Sequence, residues 1–166
     1  MFEKTSVYDL DFNVFEEINK NWMLITAKKP DGAVNTMTAS WGAMGELWGK
    51  EAATVYIRQS RFTKEFVDAQ EYFTLSLFDG YKKELGLLGT KSGRDGDKIA
   101  EAGFTVVDLD GQPGFDQAKC VLVCKKAYQA DIPMDSMSAD IVERWYGDGD
   151  YHTMYIGEIV ACYVNK

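Results

Sequence analysis

The stretch NTMTASW, residues 35–41, alternates two kinds of side chain. Successive side chains point to opposite faces of a strand, so Asn35, Met37, Ala39 and Trp41 share one face, and Thr36, Thr38 and Ser40 the other. Upstream, WMLITA at 22–27 is an apolar run of strand length, and KPDG at 29–32 separates the two. Asp31-Gly32 readily supplies the positive φ that tight hairpins need. The spacing therefore predicts that a strand over 33–41 returns antiparallel to 22–27. The hydroxyl row has two readings. One is a solvated face of a half-exposed strand, with Thr favoured by its β-propensity. The other is a polar shelf against a flat heteroaromatic ligand, because each buried hydroxyl requires a partner.

Working outward, residues 1–20 are mixed and polar, with Phe12, Phe15 and Ile18 at helical spacing, and predict a loose N-terminal arm or a short helix. Residues 42–49 carry Gly42, Gly45 and Gly49 around Met44, Leu47 and Trp48. This predicts a loop or short helix whose apolar surface covers something or meets a partner chain. Strands are expected over 53–58, 72–78, 104–109, 118–130 and 152–164. Short helices are expected over 62–70, 81–88 and 138–146, with a helical turn at 99–102 and Ser138 or Asp140 as an N-cap. KSGRDGDK at 91–98 is a Gly-rich polar loop. About seven strands without regular alternation with long helices argue against a doubly wound fold and for an antiparallel barrel with helical decorations. No G-x-G-x-x-G follows a strand and opens a helix, which excludes a Rossmann cofactor site.

The 166 residues fit one domain, 1–166, with 1–20 as an arm. A formal net charge of -8 repels phosphate backbones at long range and argues against nucleic acid as a partner. A phosphorylated ligand would then need a locally positive pocket. Three cysteines at irregular spacing do not form a disulfide framework and suit a reducing, cytoplasmic setting. With one histidine, no zinc-type ligand set is apparent, so no metal is expected. No long apolar run points to a membrane.

Two basic segments meet that need. Arg58, Gln59, Ser60, Arg61 and Thr63 stand at a strand end and helix start, where free N–H groups and the helix dipole favour an anion and guanidinium groups add bidentate bonds. The plain alternative is a Ser60 cap with arginines paired to Glu65 or Asp68. Lys91, Ser92 and Arg94 lie in the glycine-rich loop, whose backbone N–H groups can face an anion. Together with the hydroxyl strand and spare aromatics they predict one site for a planar ligand carrying a phosphate.

With these segments in view the chain resembles the flavin reductase-like, FMN-binding split-barrel family, in its flavoredoxin-like branch. NTMTASWG at 35–42, VYIRQSRFT at 55–63, YFTLSLF at 72–78, GTKSGRDGDK at 89–98 and HTMYIGEIV at 152–160 carry the resemblance. It implies a mainly β fold with short helices, an antiparallel six-stranded Greek-key split barrel, usually as a homodimer with FMN near the subunit interface. By the same resemblance 35–41 lies along the isoalloxazine, Arg58, Ser60, Arg61 and Thr63 take the phosphate and ribityl end, and Lys91, Ser92 and Arg94 close the pocket. Lys91 is expected to reach the ring, and His152 to lie near the site. Lys91 and His152 are the candidates for a catalytic role. The implied activity is NAD(P)H-dependent flavin reduction, with hydride transfer to flavin N5. The alternative is a flavoredoxin-type FMN carrier serving a redox protein partner without NAD(P)H activity of its own. Two departures stand out: Lys50-Glu51-Ala52 where the family often has Pro, and one residue inserted between Asp150 and His152.

Overall fold

The computed structural model describes residues 1–166. Its frame is one antiparallel sheet built from β1 (Phe2–Thr5), β2 (Met23–Lys28), β3 (Val34–Ala39), β4 (Gly42–Leu47), β5 (Lys50–Arg58), β6 (Tyr72–Leu77), β9 (Cys120–Asp131) and β10 (His152–Asn165). The strands run in the order β3-β2-β6-β9-β10-β5-β4, and β1 pairs with the far end of β10. A separate ribbon joins β7 (Val106–Leu109) to β8 (Gln112–Phe115). Short helices decorate the sheet: α1 (Val14–Glu16), α2 (Phe62–Ala69), α3 (Lys82–Thr90), α4 (Lys98–Glu101) and α5 (Ala139–Trp145). The result is the expected antiparallel split-barrel class.

The hairpin of residues 22–41 forms as its pattern predicts. Met23 pairs with Ala39 and Lys28 with Val34, and Gly32 takes φ 89° in the turn. β2 sits between two strands and is buried on both faces. Met23, Ile25 and Ala27 enter the larger core cluster, and Leu24 the smaller. Gly157 marks a register shift in β10, where a Cβ would fall 2.8 Å from Cys124 Cβ and 2.9 Å from the Phe73 ring. Only a glycine lets the bulged strand lie that close. The three cysteines are buried and free, and the Cys120 and Cys162 sulfurs stand 3.8 Å apart across β9 and β10.

Four expectations are corrected. Six strands become eight, because β1 and β4 extend the barrel. Residues 42–49 are not a loop or short helix: β4 returns onto β5 through Trp48 and Gly49, both at positive φ (58° and 70°), as type I′ hairpin turns require. The N-terminal arm is not loose, since Phe2–Thr5 pairs with Cys162–Asn165, while the short helix given as the alternative forms at Val14–Glu16. After the strand over 104–109, shortened here to β7, Asp110-Gly111 turns into a further strand, β8, whose Pro and Gly masked it.

Candidate functional site

The C-terminal ends of β3 and β5, the start of α2, the loop after α3 and the start of β10 converge on two adjoining cavities. The first is a cleft of about 200 Å³. Met37 to Trp41 form one wall, with Tyr56, Trp145 and His152 as aromatic walls and Arg58 and Arg61 at its end. Trp41 packs edge-on against Trp145, with ring centres 5.0 Å apart, and lies 5.2 Å from His152. The second cavity holds about 140 Å³ and gathers Asn35, Ser60, Arg61, Thr63, Lys91, Ser92 and Lys98. Arg61 borders both. No carboxylate lines either one. In a chain of net charge -8 this is a local inversion of sign.

The smaller cavity has the chemistry of an anion cradle. α2 begins there, and its N-cap residue Arg61 makes no side-chain capping bond; the Lys64 N–H donates to the Arg61 carbonyl at 3.0 Å, and the Phe62 and Thr63 N–H groups keep their donor capacity. Lys98 is buried, and its Nζ donates to the Leu88 carbonyl at 2.8 Å and the Lys91 carbonyl at 2.9 Å. Burial and the nearby Arg61 lower its pKa to about 8. A buried ammonium with two carbonyl acceptors and no carboxylate has capacity for one more acceptor. Arg61 donates to the Gly89 carbonyl at 2.7 Å, and Asn35 Nδ2 to Thr63 Oγ1 at 2.9 Å. The loop backbone comes so close that a Cβ on Gly93 would fall 2.2 Å from Asn35 Oδ1.

His152 opens β10 opposite Arg58. Its Nδ1 lies 2.7 Å from the Tyr146 hydroxyl. Burial, and then the Arg58 charge, lower its pKa to about 4, so the ring is neutral at pH 7. Burial raises the Tyr146 phenol, which therefore stays protonated.

Several expected site residues are committed elsewhere. The Thr36 hydroxyl is fully buried, bonded to Thr26 Oγ1 at 2.8 Å and donating to the Ile25 carbonyl at 3.0 Å. The Thr38 hydroxyl donates to the Leu85 carbonyl of α3 at 2.5 Å. Thr36 and Thr38 thus close bonds inside the fold, while Thr38 and Ser40 border the cleft. Arg58 donates to the Asp150 carbonyl at 2.6 Å and the Trp145 carbonyl at 3.0 Å, holding the segment between α5 and β10. The Asp150 carboxylate accepts from the Ser60 N–H at 3.1 Å and its hydroxyl at 2.5 Å. Gln59 ties to Thr153 at 2.8 Å. Lys91 pairs with Glu101 and borders the smaller cavity rather than the larger cleft, while Arg94 pairs with Glu65.

Tyr56, Trp145, Tyr146 and Lys98 were not singled out by the sequence. Lys98 carried no distinguishing signal, since a lysine in a polar loop reads as solvated. Trp145 and Tyr146 closed a predicted helix, where aromatic residues read as packing.

The Flavin reductase like domain matches residues 15–166. The chain belongs to the flavin reductase-like family. No match was found among curated protein sequences. Among solved structures, the fold is similar to an FMN-binding domain of a flavin reductases-like enzyme from Shewanella baltica, at 17% identity and TM-score 0.70, covering 99% of this chain and 77% of that one. It is also similar to flavoredoxin of Desulfovibrio vulgaris, at 20% identity and TM-score 0.70, covering 99% and 78%. A third is the styrene monooxygenase flavin reductase from Pseudomonas putida, at 16% identity and TM-score 0.65, covering 88% and 80%. In this flavin reductase-like chain no helix is long and apolar enough to cross a membrane.

Proposed function

We propose that this chain binds FMN and acts as an NAD(P)H-dependent flavin reductase. The observation that carries the proposal is the pair of acid-free cavities meeting at Arg61, one walled by aromatic rings and one built as an anion cradle. The flavin ring would lie in the larger cleft along Met37–Trp41. The 5′-phosphate would lie among Arg61, Lys98, Thr63, Ser92 and the first N–H groups of α2. Each cavity alone is below the roughly 300–1,000 Å³ of a typical small-molecule site, and their junction at Arg61 suits a ligand with a flat head and an anionic tail.

A bound flavin supplies two-electron chemistry, and the protein supplies binding, orientation and electrostatics. Arg61 and Lys98 hold the anionic tail and so fix the register of the ring. Trp41 and Trp145, locked edge-to-face, wall the cleft against water. The Tyr146 hydroxyl and His152 Nδ1 share a hydrogen bond of 2.7 Å that holds the neutral imidazole at the edge of the cleft. The second reading, an FMN electron carrier serving a redox protein partner, shares all these binding residues. It draws support from the fold similarity to flavoredoxin.

Absorbance of the purified protein, followed anaerobically as NADH or NADPH is added, separates the two. A yellow protein that bleaches is the expected result. A yellow protein that stays oxidised with either nucleotide favours the carrier. A colourless protein that fails to take up FMN overturns both.

A further inference from the structure

A third hollow, of about 810 Å³, lies beside the aromatic-walled cleft. Ser40, Trp41 and Tyr56 border both. Its floor is Ile18 and Met44, and its far bank is Met137 and Ile141 of the segment around α5. No charged side chain lines it. Asn19 and Ser40 bring its only polar side chains apart from tyrosine hydroxyls. The volume and the apolar lining with few polar groups are those of a small-molecule site.

We infer that this hollow binds an uncharged, planar, largely apolar ligand that lies beside the aromatic-walled cleft. A dinucleotide is a poor occupant, because its pyrophosphate would enter without a cation or a helix N-terminus to meet it. Arg58 and Arg61 line the neighbouring cleft and not this hollow. A neutral aromatic ring loses no charge solvation on entry and covers the Ile18, Met44 and Ile141 side chains. Asn19 and Ser40 can bond one hydroxyl or carbonyl on its edge. The ligand's role as a second substrate rests on the proposed flavin binding; its binding here does not.

Calorimetric titration with 2-naphthol as the neutral probe tests the inference, on the protein as purified and again with added FMN. Naphthalene-2-sulfonate serves as the charged counterpart. Saturable 2-naphthol binding is expected in both states, at least about tenfold tighter than the sulfonate, a difference of ~1.4 kcal/mol. Ile141→Asp puts a charge on an exposed helix position at the rim, and Ala43→Trp fills the hollow from an exposed strand position. Each should weaken 2-naphthol at least about tenfold and leave FMN affinity unchanged. Three results overturn the site: no saturable 2-naphthol binding, equal affinity for the sulfonate, or affinity unmoved by both variants. Conversion of a sedimenting dimer to monomer by Ile141→Asp also overturns it, because a second copy then covers the hollow. Loss of FMN binding alone, with 2-naphthol intact, counts against the flavin proposal and not against this one.

Discussion

Two arginines three residues apart do different work. Arg61 borders both cavities, whereas both guanidinium bonds of Arg58 go to backbone carbonyls of 145 and 150. Arg61→Ala should weaken FMN by about 1.5–3 kcal/mol, the worth of hydrogen bonds to a charged group, and leave riboflavin nearly unchanged. Arg58→Ala should weaken both ligands together and lower Tm, since it frees the segment that carries His152. Parallel titrations with FMN and riboflavin distinguish the two behaviours. Lys98 makes its own prediction. Its folded pKa, about 8, lies below the ordinary lysine value. Between those values the unfolded chain holds a proton that the folded chain has lost, so stability of the ligand-free protein rises with pH there. The contribution should be absent in Lys98→Met, and affinity for inorganic phosphate should fall above pH 8 in the parent only. Melting curves at stepped pH check the first, and calorimetry the second. His152 runs toward acid. Its folded pKa of about 4 lies below the free value, so stability is lost as pH falls from about 6.5 toward 4, and His152→Asn should flatten that limb.

At the scale of elements, the loop after α3 and the bulge in β10 each depend on one missing Cβ. Gly93→Ala would push the loop off Asn35 and the Phe62 ring, which stand 2.2 Å and 3.1 Å from the added atom. The smaller cavity should open and FMN affinity fall at least about tenfold, equivalent to ~1.4 kcal/mol, with little change in Tm. Gly157→Ala meets Cys124 and Phe73 inside the core and should cost about 1–3 kcal/mol of stability by overpacking, seen as a lower denaturant midpoint. The β4–β5 hairpin shows what local pattern hides. Its three glycines read as a loop, yet residues 50–55 of β5 give β4 a partner along its whole length.

For the whole molecule, the β4–β5 hairpin carries Leu47 and a Trp48 that is 61% exposed, beside a half-exposed Tyr128 whose ring centre is 6.4 Å from that of Trp48. An exposed aromatic pair beside Leu47, with Trp48 in the β4–β5 turn and Tyr128 on β9, is more apolar surface than a monomer ordinarily leaves in water. We propose that it is the contact between two copies. Sedimentation at micromolar concentration should report a dimer, and Trp48→Asp should dissociate it. A monomeric parent protein would leave the cluster without this role. The net charge of -8 opposes self-association, so the dimer should tighten as salt rises.

By itself the sequence determined the antiparallel class, the 22–41 hairpin, the family, and the two basic segments that reach the anion cradle. These follow from alternation, turn chemistry and short-range spacing, which act between neighbours along the chain. Tertiary structure decided which polar groups remain available to a ligand. The Thr36 hydroxyl is used up by a strand ten residues away, and Arg58 by a carbonyl 92 residues away. Arg94 is paired by Glu65, and Lys98 is drawn under the loop by two carbonyls. A side chain's charge is written in the sequence, but its free valence depends on partners that only folding brings within hydrogen-bond distance.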